Sequence, residues 1–293
     1  MGSKAKSIFA SLGYLLLGFG IQIVVTIVGM IGLAVFYAIS NADILEGNTD
    51  AVMSNMDSMM NYVVGATSWI LLFSSIITVL ALILIYKIKK RKVMEELQFK
   101  NTNIVNYLSA VLLGGLCWLF NSSLLTLISN AGLLEEQFIN MENILSPLTA
   151  GSIVVSIITI GIIAPIAEEF LFRGVVFNTL RKRFSPAWTI GLQGVFFGIY
   201  HMNLIQGTYA TLLGVIFGYV TYKTRSIWPA IIMHIVNNSM SFILNAILVD
   251  YVPSTTTYII QGIIAAVGII GVLFLIYKKN YKLDEEIPGD IQY

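Results

Sequence analysis

Eight apolar stretches of bilayer-spanning length, about 20 residues each, divide this 293-residue chain. Nothing else in the sequence restricts the fold as severely. In hydrocarbon every backbone N–H and C=O must be satisfied within the protein, and a helix does this segment by segment. The expected fold is therefore all-α, a polytopic membrane protein of about eight transmembrane helices. They lie near residues 10–39, 61–86, 104–129, 149–180, 187–204, 208–222, 227–249 and 257–277. The fifth and sixth are short, with Gly207 expected to mark a tight turn between them. The fourth is long for one span, and its last turns are expected to emerge at the cytoplasmic interface.

Composition agrees. The chain is 57% hydrophobic and 11% charged, where a soluble domain carries about 25% charged residues. Its net charge of +1 gives no electrostatic case for nucleic acid. Cys117, the single cysteine, can form no disulfide within the chain and has no company for a cysteine-based metal site. It reads as a small core residue. Lys4 and Lys6 precede an apolar stretch, as in a signal peptide, but that stretch far exceeds a signal h-region of about 7–15 residues. It reads as the first transmembrane helix.

The basic residues set the orientation. With the N-terminus inside, cytoplasmic segments hold Lys4, Lys6, Lys87, Lys89, Lys90, Arg91, Lys92, Lys100, Arg181, Lys182, Arg183, Lys223, Arg225, Lys278, Lys279 and Lys282. That is every Lys and Arg except Arg173. The outer loops hold Asp43, Glu46, Asp50, Asp57, Glu135, Glu136, Glu142 and Asp250, with no Lys or Arg. Positive charge is retained on the cytoplasmic side, so both termini are expected there. Residues 1–293 read as a single integral membrane domain, with core helices over 149–250 and a polar tail over 283–293. The outer loops at 40–60 and 130–148 are expected to form short interfacial helices. No internal repeat is evident, which disfavours an inverted-repeat transporter.

Ionisable groups at membrane depth are costly, and they concentrate in three of these segments. The fourth carries Glu168, Glu169 and Arg173. Glu169 and Arg173 are spaced i,i+4 and can pair on one face, which suffices to explain both structurally. Glu168 points about 100° away. A carboxylate at membrane depth without a cation is poised to take up a proton, which suits a general base. Pro165 removes a backbone hydrogen bond just upstream, and a loosened carbonyl there would help open a wet cavity. The fifth segment carries Gly191, Gly194 and Gly198, which permit close helix approach. It also carries Phe197, one turn before His201 and placed to wall one side of its ring. On residues alone, His201 is either functional or an interhelical hydrogen-bonding residue. The seventh segment carries His234 and Asn238, again i,i+4. Together they suit donating to an oxyanion, orienting water or ligating a metal; Asn237, off that face, reads as a packing or hydrogen-bonding residue. Counted from the cytoplasmic ends of their helices, Glu168, His201 and Asn238 lie about 16–21 Å deep, so their depths overlap.

The ordered set Glu168-Glu169-x-x-x-Arg173, Phe197-x-x-x-His201 and His234-x-x-x-Asn238 resembles the CPBP intramembrane proteases. These comprise the CAAX prenyl endopeptidases and their bacterial, Abi or bacteriocin-immunity-like relatives. The resemblance covers residues 168–238 and implies peptide-bond hydrolysis within a membrane cavity. It implies that Glu168 with His201 activates water, that His234 and Asn238 stabilise the tetrahedral intermediate, and that Glu169 and Arg173 hold the site together. The family is commonly labelled metalloprotease, and Glu168, His201 and His234 would supply a two-His-one-carboxylate zinc set; a metal-free glutamate mechanism stands beside it. The implied partners are a peptide or membrane-protein substrate and the lipid bilayer, in the plasma membrane of a bacterium. Two other readings are a non-catalytic immunity or scaffold protein that binds a peptide or membrane partner, and a proton-coupled transporter.

Overall fold

The computed structural model describes residues 2–41, 49–247 and 253–281, and among them every regular element is a helix. The polar tail over 283–293 lies outside the described residues. In chain order the helices are α1 (Ser3–Ser40), α2 (Thr49–Gly65), α3 (Thr67–Ile88), the single turn α4 (Val93–Glu96), α5 (Ile104–Asn130), α6 (Glu135–Leu145), α7 (Ile153–Leu180), α8 (Pro186–Tyr200), α9 (Leu204–Thr224), α10 (Trp228–Ile247) and α11 (Thr255–Asn280). All eight expected segments are helical, and the chain is a multi-pass, all-α membrane protein. Among the described residues six helices are long and apolar enough to cross a bilayer: Ser3–Ser40, Asn55–Ile88, Ile104–Asn130, Ile153–Leu180, Leu204–Thr224 and Thr255–Asn280. The outer segment after residue 130 does form a short helix, α6, and residues 49–65 are helical as well.

Two expectations are corrected. The sixth segment is not short, since α9 has 21 residues. The chain reverses at His201–Asn203 instead of at Gly207: Met202 takes a left-handed φ of 54°, and the Asn203 side chain caps α9 by accepting from Gln206 N at 3.0 Å. Gly207 sits inside the first turn of α9 and serves packing, because a Cβ there would lie 2.9 Å from the Gly198 carbonyl oxygen. The last turns of α7 pack against the start of α1 at the basic end of the bundle. Phe177 and Leu180 are buried, and Thr179 O accepts a 2.6 Å hydrogen bond from Ser7 Oγ on α1.

The tightest helix pair is α8 against α9, and glycine makes it. A Cβ on Gly194 would stand 2.8 Å from Val215 Cγ2, and one on Gly214 would stand 2.7 Å from Gly194 Cα. At Gly198 it would strike both Thr211 Oγ1 and the Gly207 carbonyl. Gly191, expected to share in this approach, faces open space. Gly198→Ala is therefore expected to destabilise the fold by about 1–3 kcal/mol, the usual cost of overpacking, because a backbone atom cannot swing aside. Gly191→Ala should be silent. Thermal unfolding of both variants in detergent checks the contrast, and equal midpoints would contradict it.

The basic end of the bundle is closed by short connections. After α4, Leu97 and Gln98 are buried, and the Gln98 carbonyl accepts from Ile227 N at 3.1 Å. Ser226 Oγ donates to the Lys100 carbonyl at 2.5 Å. Glu96 pairs with Arg91 and, at 3.7 Å, with Lys182. Asn106 and Asn280 exchange amide hydrogen bonds of 3.0 and 3.1 Å, joining α5 to α11. Cys117 is buried in the core, as expected of a small core residue.

Candidate active site

The backbone of α7 is not a uniform α-helix. Residues Thr159–Ile163 and Phe170–Val176 form wide π turns around an α-helical stretch, Ala164–Glu169. Such turns recur at functional sites because they expose carbonyls and re-aim side chains. Pro165 has no N–H to give to the turn before it, and the carbonyls around that gap are used. Ile160 O accepts from Asn238 Nδ2 at 3.0 Å, and Gly161 O accepts from Ser239 Oγ at 3.3 Å. The loosened carbonyls expected near Pro165 thus anchor α10, and with it Asn238, to α7.

Adjacent glutamates on this stretch go to different places. Glu169 is fully buried, and its Oε1 accepts from Arg173 Nη1 at 2.8 Å, as the spacing required. The same oxygen accepts from His234 Nδ1, also at 2.8 Å. Arg173, equally buried, donates from Nη2 to the Gly214 carbonyl at 3.2 Å and stacks 4.6 Å from the Phe197 ring centroid and 5.3 Å from that of Phe217. The Gly214 carbonyl takes a second bond, 2.6 Å, from Gln193 Nε2. A buried charge without a partner is severely destabilising; here guanidinium and imidazole both bond to Glu169 Oε1, while Glu169 Oε2 and Arg173 Nε lie buried without a hydrogen-bond partner among the described residues.

Glu168 instead keeps 27% of its side chain exposed and lines a cavity of about 730 Å³. The same cavity is lined by His201, His234, Asn238 and Phe197. The four residues picked out as catalytic therefore share one space. His234 stands between the two glutamates, with Nε2 3.8 Å from Glu168 Oε2. His201 Nδ1 lies 2.8 Å from the Phe197 carbonyl, which can only accept, so Nδ1 carries the proton and Nε2 is the free basic nitrogen. Phe197 packs edge-on against both imidazoles, at 4.8 Å from His201 and 5.8 Å from His234, and so walls both rings instead of one.

Glu168, His201 and His234, the possible zinc ligands, line one cavity but are not drawn into a single cluster. Among the described residues no group of three His, Cys, Asp or Glu side chains is close enough to hold a metal ion. Glu168 and His234 approach each other, while His201 comes from the end of α8 and makes no ion pair with either glutamate. Each would-be ligand rides on a different helix, and Phe197 packs against both imidazoles.

Several lining residues were not anticipated. Asn237, read as a packing or hydrogen-bonding residue, does hydrogen-bond, donating from Nδ2 to Asn238 Oδ1 at 3.0 Å, but it also lines the cavity. Tyr200, Tyr209 and Asn121 line it as well, and Trp118 Nε1 donates to Ser241 Oγ at 2.8 Å across its wall. The sequence held one usable signal: Gln193, Phe197 and His201 recur at four-residue spacing on an otherwise apolar helix.

Residues 150–240 match the family described as type II CAAX prenyl endopeptidase Rce1-like. Over 88 residues the chain is 31% identical to a Bacillus subtilis (strain 168) protein named "Putative membrane peptidase YdiL". That match covers 30% of this chain and 36% of the relative, so the chain spans about a third of that protein's length. No solved structure matches the chain.

Proposed function

We propose that this membrane protein, whose residues 150–240 match the Rce1-like family, is an endopeptidase that hydrolyses a peptide bond inside the cavity of α7, α8 and α10. The observation that carries the reading is the contrast between two neighbouring carboxylates. Glu169 is consumed by Arg173 and His234, while Glu168 faces the cavity with a histidine Nε2 3.8 Å away.

In the proposed reaction Glu168 takes a proton from a water molecule as the water oxygen bonds to the scissile carbonyl carbon. His201 Nε2, its other nitrogen held by the Phe197 carbonyl, accepts a hydrogen bond from the remaining O–H and aims the water. The carbonyl oxygen becomes an oxyanion. It receives hydrogen bonds from the second N–H of Asn238 Nδ2, whose first is spent on Ile160 O, and from His234 Nε2–H in its imidazolium form. Glu169 Oε1 accepts from Nδ1 and holds the ring in place. The intermediate collapses as the C–N bond breaks, and Glu168 returns its proton to the leaving amine. A preorganised donor pair of this kind is worth about 10²–10³ in rate per donor.

His201→Ala is expected to lower cleavage of a fluorogenic peptide pool in proteoliposomes by about 10²-fold or more. Its helical circular dichroism should match the parent's. Parent-like cleavage by this variant would remove His201 from the mechanism.

A further inference from the structure

We infer that the cavity opens on the extracytoplasmic face of the membrane and that its substrate is a peptide segment presented there. This deepens the endopeptidase reading and rests on it for the word substrate; the side of entry rests on geometry alone. Most helices that line the cavity do so mainly with the half remote from the basic end, while α1 contributes Phe19 and Gln22 from its middle. From α5, which starts at the basic end, the lining residues run from Trp118 to Thr126. From α9, which finishes there, they run from Gln206 to Leu213. From α10, which starts there, they begin only at His234. The rim is the connection after α6, Ile144 to Thr149, together with Met202, which is 70% exposed.

The opposite way out is shut. Between Glu168 and the basic end lie Phe172, Leu180, Leu97 and Ile227, each fully buried, below the buried Arg173–Glu169 pair. Among the described residues, every Lys and Arg except Arg173 belongs to segments at that closed end. Positive segments stay in the cytoplasm, so the closed end is cytoplasmic and the open end is not. A lipidated C-terminal tail on the cytoplasmic leaflet would meet the closed floor. A polypeptide segment on the outer surface would find an apolar rim leading down to Glu168.

The test is thiol accessibility in intact cells, on full-length chain in a Cys117→Ser background. Thr126→Cys inside the cavity, Met202→Cys at its rim and Lys182→Cys at the closed end are each exposed to a charged, membrane-impermeant methanethiosulfonate. The first two should react from outside, and Lys182→Cys only after permeabilisation. A Thr126→Cys that stays unreactive from outside, whatever it does after permeabilisation, overturns the inference, and so does a Lys182→Cys that reacts in intact cells. The readout needs no activity. External labelling of Thr126→Cys without peptide cleavage by the parent protein would count against the endopeptidase reading and leave the side of entry standing.

Discussion

Glu168→Gln is expected to abolish hydrolysis and leave the protein folded. The substitution keeps the shape of the side chain and removes only its ability to take and return a proton. General-base catalysis is worth about 10²–10⁴ in rate, and in the proposed scheme the same group also protonates the leaving amine, so the loss should sit at the upper end. Little structural cost follows, because Glu168 faces the cavity with its side chain 27% exposed and its close polar neighbour is His234 Nε2 at 3.8 Å. The measurement pairs cleavage of fluorogenic peptides with the thermal midpoint of the purified protein. A Glu168→Gln variant that cleaves at the parent rate would end the mechanism. One that loses cleavage yet retains a cellular protective function would favour the non-catalytic immunity or scaffold role for the same fold.

Arg173→Met should do the opposite and prevent folded protein from accumulating. Glu169 and Arg173 are both 0% exposed, and breaking such a pair from one side costs about 3–5 kcal/mol, because a charge is left buried without compensation. Replacing both partners is milder, since two neutral groups of similar volume leave no orphaned charge. The double variant Glu169→Gln/Arg173→Met is therefore expected to recover monodisperse protein on size exclusion where Arg173→Met alone yields aggregate. It should still cleave poorly, because His234 Nδ1 loses the carboxylate that now accepts from it at 2.8 Å. Equal yields of the single and double variants would show that Glu169 depends on Arg173 for nothing.

The two substitutions separate what was legible in the sequence from what was not. Spacing alone paired Glu169 with Arg173 and left Glu168 free, because an i,i+4 relation is local. The second partner of Glu169, His234, lies 65 residues away on another helix, and no local pattern announces it. The eight helical segments were legible because lipid accepts little else. Their ends were harder. Gly207 reads as a turn in sequence because glycine serves turns and close packing alike, and only the position of Gly198 opposite it tells which. Asn237 was set aside because it lies about 100° off the His234–Asn238 face. The cavity is wide enough to take it in. The possible metal ligands show the same limit: Glu168, His201 and His234 were each legible, but the distances between their helices were not.

The wide turns of α7 carry a consequence for how such a site tolerates change. A π turn holds one residue more than an α turn, and each residue advances an α-helix by about 100°. The turns at Thr159–Ile163 and Phe170–Val176 therefore work as gear teeth on either side of Ala164–Glu169. They set which of two consecutive glutamates meets water and which meets Arg173. Substitutions along α7 leave that phase intact, whereas the gain or loss of a single residue within a wide turn would rotate the pair out of mesh with His201 and His234. Away from Gly161, Pro165, Glu168, Glu169 and Arg173, α7 is thus freer in composition than in count.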